Sequence, residues 1–376
     1  DPGITYENMI EDFEKDPVWV DQPGPDGWYL NNRTSGGTYT WEIDPTQGAD
    51  RTNRSFKMTV TEGVPYFYYL NNDQNAYINR NAEFPVNRMR FYIKFPQGWR
   101  KTNPLPPGYN YHVGTYHRDP NIPGSHETYN WHFYYHLVFD TYDNDWIKVD
   151  LNQWTQHQRD TIGNPGVNPT KPTANFNQHF SRIYFTGVPY HEQPQVDYPY
   201  EVWFDEWEFY YQNEYVATQP EYYERTAPVG STIYYPITII NTHPSENRKY
   251  GLLVSLTQYM DGQIYRDDNG DGIHQEGETT KITETSLLAP MEQYKVFVAI
   301  TVPNVYISAA FVAWQKEPVW QSDPHIVAPS SNWNIPLGTP AAGVHIRTRP
   351  GELPPADTIP PAPIQDLIVQ QTYDHS

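Results

Sequence analysis

Arg88-Met89-Arg90-Phe91-Tyr92-Ile93-Lys94-Phe95 is the stretch on which the reading of this chain turns. Met89, Phe91, Ile93 and Phe95 fall on one side of an extended backbone, and Arg88, Arg90, Tyr92 and Lys94 on the other. A strand sends successive side chains to opposite faces, so alternation with period two spells a strand with one face in a core. The same period recurs outward. Ile147, Val149 and Leu151 alternate with Trp146, Lys148 and Asp150. Phe56–Thr61, Val64–Leu70, Trp131–Phe139, Arg182–Thr186 and Glu201–Tyr210 read as further strands. Turn clusters such as Gly36-Gly37 and Asp143-Asn144-Asp145 separate them. Helical periodicity is nearly absent. Many strands with this punctuation predict an all-β chain of packed sandwiches.

Composition agrees. The 376 residues suffice for two or three domains. Apolar residues make up 38% and aromatics 16%, with 32 Tyr and 12 Trp. Disordered chains are poor in aromatics, so this one folds, on cores that lean on Tyr and Trp. The 36 prolines predict short strands and stiffened loops. Lys and Arg number 25 against 45 Asp and Glu, a net charge of −20. That balance repels phosphate backbones and anionic membranes, so nucleic acid is excluded as a partner. It suits calcium, which takes hard oxygen ligands. The absence of cysteine excludes disulfides, thiolate metal sites and thiol nucleophiles. The longest apolar stretch, Ile307–Trp314, is too short to span a bilayer. The sequence starts at Asp1 without an apolar signal segment, which reads as the mature form of an exported, extracellular or cell-surface protein. Asn32-Arg33-Thr34 and Asn53-Arg54-Ser55 match the N-glycosylation pattern.

Three regions are expected. Residues 1–212 form the first, with 98–130 and 159–178 as long loops rich in Pro, Gly, Asn and His. The texture changes near 213. Ile233, Tyr235, Ile237 and Ile239 then alternate, and Leu252–Leu256, Ile282–Thr285, Tyr294–Ile300 and Ile307–Trp314 follow, making 213–335 a second sandwich. Residues 336–376 read as a Pro- and Gly-rich linker that ends in one more alternating stretch, Ile364–Gln370.

Met9-Ile10-Glu11-Asp12-Phe13-Glu14 and Val202-Trp203-Phe204-Asp205-Glu206-Trp207-Glu208-Phe209 resemble the end strands of jelly-roll (galactose-binding-like) carbohydrate-binding modules. The resemblance implies paired first and last strands, a glycan ligand, and a structural calcium on Glu11, Asp12, Glu14 and Asp205. Ala227-Pro228-Val229-Gly230-Ser231-Thr232, Ile237-Thr238-Ile239-Ile240-Asn241 and Leu287-Leu288-Ala289-Pro290-Met291-Glu292 resemble bacterial surface Ig-like repeats, which stack into stalks. Asp357-Thr358-Ile359-Pro360-Pro361-Ala362-Pro363 with Asp366-Leu367-Ile368-Val369 resembles the opening strand of a fibronectin type III domain.

The sharpest chemical motif runs from Asp267 to Glu278 and satisfies D-x-[DN]-x-[DN]-G-x5-E in full. Asp267, Asn269 and Asp271 offer side-chain oxygens, Gly272 permits the sharp turn, Ile273 offers its carbonyl, Gln275 acts directly or through water, and Glu278 closes the shell. The flanks read as strands, which puts this calcium loop in a β-hairpin. A second set, His132, Tyr134 and His136, shares one strand face. Same-face neighbours stand about 7 Å apart, so His132 and His136 do not share one metal. Flat rings and hydrogen-bonding imidazoles suit a glycan, and Trp154, His157, Arg159, His117 and Arg118 are candidates to join them. No nucleophile elbow, zinc-protease helix, phosphate loop or dinucleotide fingerprint is present. The expected function is a non-catalytic glycan-binding module on a calcium-stabilised Ig-like stalk, with polysaccharide or other surface proteins as partners. Two alternatives stand beside it: a self-assembling subunit of a filament, sheath or surface layer, and a polysaccharide lyase or glycoside hydrolase using His, Tyr and Arg as base, acid and charge neutraliser.

Overall fold

A computed structural model of the chain describes residues 6–11, 13, 27–30, 38–62, 66–70, 86–95, 111–117, 131–139, 145–155, 158–161, 180–187, 199–255, 262–304, 307–321, 326–327, 335–336 and 338–351. Among these residues every named element is a strand, as the alternation predicted. The opening strands are β1 (Tyr6–Glu11), β2 (Gly27–Leu30), β3 (Thr38–Asp44), β4 (Ser55–Glu62), β5 (Tyr66–Leu70) and β6 (Arg88–Lys94). There follow β7 (Tyr111–His117), β8 (Trp131–Phe139), β9 (Ile147–Asn152), β10 (Gln158–Thr161), β11 (Phe180–Gly187) and β12 (Tyr200–Tyr211). They make two facing sheets. One runs β3-β4-β12-β6-β9 with β1 added on β12, and the other β10-β8-β7-β11-β5-β2. First and last strands pair, from Tyr6 opposite Tyr211 to Glu11 opposite Trp207.

An aromatic core joins the two sheets. Phe185 of β11 packs against Phe204 of β12 at 4.8 Å and Phe91 of β6 at 6.4 Å, and Phe91 stacks on Trp207 at 4.2 Å. Val202 and Phe204 point inward, then Trp207 and Phe209 do, which changes the parity of β12. A bulge makes the change: Asp205 faces Tyr92, and Glu208 faces Arg90. Glu206 sits in the bulge at φ +47. β6 departs from its expected half-polar character. Arg88, Arg90 and Tyr92 are buried as well, because Arg90 is paired with Glu208 and Arg88 lies under the second sandwich.

That second sandwich comprises β13 (Val216–Gln219), β14 (Tyr222–Ala227), β15 (Thr232–Asn241), β16 (Lys249–Ser255), β17 (Gly262–Arg266), β18 (Gln293–Thr301), β19 (Ile307–Glu317) and β21 (Ala341–Pro350), with β20 (Ile326–Val327) between the last two in sequence. Its sheets run β13-β15-β18-β17 and β14-β21-β19-β16, while β20 crosses back to pair with β8. The β14–β21 pair is parallel. Tyr235, Ile237, Ile239, Val296, Val298, Phe311 and Val344 fill the core between the sheets. β21 lies in the stretch expected to be linker. Val344, Ile346 and Thr348 are fully buried there at period two, a pattern masked in the sequence by the flanking prolines.

The junction is polar at its centre and aromatic at its rim. The buried Arg88 guanidinium donates to both oxygens of Glu214 (2.6 and 2.7 Å), to Asp150 (3.1 Å) and to the carbonyl of Gly338 (2.8 Å). Glu214 also accepts from the Ala341 N–H at 3.2 Å. Trp154, on the turn after β9, lies against Gly343 of β21, where an added Cβ would come within 2.4 Å of the indole. Only a residue without a side chain admits that contact.

Candidate functional site

Strand register assembles the candidate ligand face. Val113 and Phe185 are fully buried and face the core. The intervening residues of β7 and β11 therefore form the other face of the sheet. His132, Tyr134 and His136 fall on that face, opposite Tyr116, Gly114 and His112 of β7. Arg182, Tyr184 and Thr186 of β11 continue the three rows, and Tyr68 and Tyr66 of β5 extend two of them. On the far side Asp160 pairs with His132 and Gln158 with Tyr134. One row thus reads Gln158, Tyr134, Gly114, Tyr184, Tyr68, Tyr29 across the sheet.

The other candidates for this face separate from it. Arg159 pairs with Phe133 and so belongs to the opposite face. Trp154 sits at the junction, its ring 4.8 Å from that of His345. His157 lies outside the described residues. Register adds Asp160, Tyr68, Tyr184, Arg182 and Tyr116 to the candidate face, none of which sequence reasoning placed there. Tyr111–His117 was expected within a long loop, whereas it is the strand β7. Apart from Val113 and Gly114 its residues are polar or aromatic on both faces, so the period-two contrast is weak.

The loop from Asp267 to Glu278 closes a hairpin, with the Arg266 N–H donating to the Thr280 carbonyl at 2.9 Å. Its first and twelfth residues, Asp267 and Glu278, are buried, whereas Asn269, Asp271, Ile273 and Gln275 are exposed. Asp267 accepts the N–H groups of Gly270 (2.6 Å) and Gly272 (2.9 Å). Asn269 accepts that of Asp271 (2.9 Å), and Asp271 that of Ile273 (2.7 Å). Glu278 spans the loop, accepting from Asp268 at 2.9 Å and Gln275 at 2.8 Å. Gly272 makes the turn at φ +75, a conformation that disfavours any side chain. Among the described residues no three His, Cys, Asp or Glu side chains converge as a metal-holding group. The donor chemistry nonetheless fits calcium. Each of these oxygens accepts one N–H and keeps a lone pair, and the two buried carboxylates flank the loop interior.

Asp205 has a different environment. Its Oδ2 accepts from the Ala49 N–H (2.8 Å) and the Thr52 hydroxyl (2.5 Å), and its Oδ1 from the Glu206 N–H (2.8 Å). Burial pushes its carboxyl up to about 7 against the pull of those donors. Glu11 lies on β1 opposite Trp207, while Asp12 and Glu14 lie outside the described residues.

No protein-family model matches the chain, and no curated protein matches its sequence. Among solved structures, it is similar to the family 30 carbohydrate-binding module of the cellulosomal cellulase Cel9D-Cel44B of Clostridium thermocellum. That match has 14% identity and a TM-score of 0.30, covering 56% of this chain and 99% of that one. The ASH/PapD-like domain of human CEP192 matches at 11% identity and a TM-score of 0.21, covering 38% of this chain and 88% of that one. The Vibrio cholerae VesB protease matches at 11% identity and a TM-score of 0.21, covering 84% of this chain and 100% of that one. Likenesses this shallow fix no activity. Among the described residues no helix is long and apolar enough to cross a membrane.

Proposed function

We propose that this chain is an extracellular carbohydrate-binding protein. Its ligand lies across the Tyr- and His-bearing sheet of the first sandwich, and calcium in the Asp267–Glu278 loop stiffens the second. One observation carries the glycan reading: register collects Tyr134, Tyr184, Tyr68 and Tyr29 into a single row that crosses the strands. Tyrosine offers an apolar ring for the flat side of a sugar and a hydroxyl for its edge. The row from β10 to β2 spans five strand spacings, about 24 Å, room for several sugar units of a linear polymer. The test is affinity electrophoresis of the whole chain through gels carrying plant, algal and bacterial polysaccharides, with calcium present. Retardation by one polymer is expected. Tyr184→Ala or Tyr68→Ala weakens it about tenfold, or ~1.4 kcal/mol. Free migration in every gel overturns the glycan reading.

The second reading, a subunit of a filament, sheath or surface layer, is supported by how the chain threads the second sandwich. It arrives at Glu214 beside Ala341 and leaves after Pro350, a strand length of about 30 Å away. Neighbouring units would then follow one another in line.

A further inference from the structure

We propose that the same sheet face cleaves a uronic-acid polysaccharide by β-elimination, with His132 and Tyr116 as the proton-transfer pair and Arg182 as the anchor of the uronate carboxylate. The proposal rests on the glycan reading of this face and goes beyond it. Its foundation is one cross-strand row. Asp160, His132, Tyr116 and Arg182 are successive register partners on β10, β8, β7 and β11. Directly opposed residues on antiparallel neighbours have Cβ atoms about 4.5–5.5 Å apart. The register thus puts Asp160, His132, Tyr116 and Arg182 at consecutive positions of one row across four strands, over roughly 15 Å. The tyrosine row, one register step away, runs alongside to hold the sugar chain.

The order within the row suits the chemistry. A carboxylate beside an imidazole fixes its tautomer and stabilises the imidazolium that forms when it accepts a proton. A guanidinium beside a phenol favours the phenolate left when it gives one up. Glycoside hydrolysis by the usual route needs two carboxyl groups astride the bond. Among the described residues this face carries one, Asp160. Elimination needs a base, an acid and a cation, and the row contains all three.

The step balances without a co-reactant. Arg182 offsets the C6 carboxylate charge, which acidifies the proton on C5. His132 takes that proton. The electron pair of the C5–H bond becomes the C4=C5 double bond as the C4–O4 bond breaks. Tyr116 gives its phenolic proton to O4 of the departing chain. The proton on His132 then returns to Tyr116, its register partner, and both groups are restored.

The net charge of −20 opposes a polyanionic substrate, and salt screens that repulsion beyond a Debye length of about 10 Å. Cleavage is therefore expected to quicken as ionic strength first rises. The experiment incubates the whole chain with polymannuronate, polyguluronate, polygalacturonate and polyglucuronate. It reads the ultraviolet absorbance of the conjugated double bond, with gel retardation by each polymer run in parallel. Absorbance is expected to grow with one of them. Tyr116→Phe and His132→Gln should each slow it by about 100-fold or more, far beyond any change in retardation, while the melting temperature stays unchanged. Retardation without any rise in absorbance overturns elimination and leaves the glycan reading standing. A rise that survives both substitutions overturns the assigned roles. Neither retardation nor absorbance with any polymer overturns both readings.

Discussion

Asp205 is fully buried, its two oxygens are taken up by donors at Ala49, Thr52 and Glu206, and yet its carboxyl titrates near 7. Desolvation outweighs three hydrogen bonds at this position. The consequence for stability has a definite sign. The unfolded group ionises near the ordinary aspartate value of 3.8 and the folded one at about 7, so between these values the native state holds a proton that unfolding releases. Stability then falls as pH rises across that window, at up to about 1.4 kcal/mol per pH unit from this group. Urea unfolding followed from pH 4.5 to 7 should show the fall. Asp205→Asn should flatten it by about one proton. An equal slope in both proteins would remove Asp205 as its source.

At the scale of elements, the hairpin loop gives the clearest test. Its two buried carboxylates, Asp267 and Glu278, and the exposed oxygens of Asn269 and Asp271 belong to one twelve-residue loop in a chain with a large excess of acid. A bound calcium ion would relieve their repulsion, and it stabilises by about 2.7 kcal/mol when present at a hundred times its dissociation constant. Chelator should therefore lower the melting temperature of the second sandwich, and the Asp267→Asn, Glu278→Gln double variant should melt alike with and without calcium. A wild-type melt indifferent to chelator would sink the calcium reading.

This loop was legible because its spacing is a chemical demand in itself. The strands β6 and β15 were legible because apolar and polar residues alternate in them, and β12 and β18 because short runs rich in apolar and aromatic residues are bounded by polar ones. β7 and β21 were not. Tyr, His and Thr on both sides of β7 blur the contrast, and prolines around β21 suggest a linker. The candidate face was half legible. The His132, Tyr134, His136 series can be read within one strand, whereas the pairing of Tyr116 with His132 and of Arg182 with Tyr116 exists only once register is known. Trp154 shows the converse. An indole that invites a sugar in sequence is occupied by Gly343 and His345 of the neighbouring sandwich.

For the whole molecule, the Arg88–Glu214 pair is a buried ion pair across the junction of the two sandwiches. Arg88 reaches Asp150 in its own sandwich and the Gly338 carbonyl across the junction, so losing it leaves Glu214 buried without its counter-charge. Such a loss typically costs about 3–5 kcal/mol, whereas replacing both partners by apolar residues costs far less. Calorimetry should show one transition for the native chain and two for Arg88→Met, with Arg88→Met plus Glu214→Leu recovering part of the lost stability. A single unshifted transition in Arg88→Met would mean that the sandwiches are coupled by other contacts.

The parallel pairing of β14 with β21 bears on tension. Six register pairs, from Tyr222 opposite His345 to Ala227 opposite Pro350, join β14, the second strand of this sandwich in chain order, to β21, its last. A pull on the two ends of this sandwich drags these strands past each other along their common axis. Every hydrogen bond between them is then strained at once in shear, where an antiparallel pair pulled from one end would unzip bond by bond. A stalk that anchors a cell to a polymer in flowing water is loaded in this way.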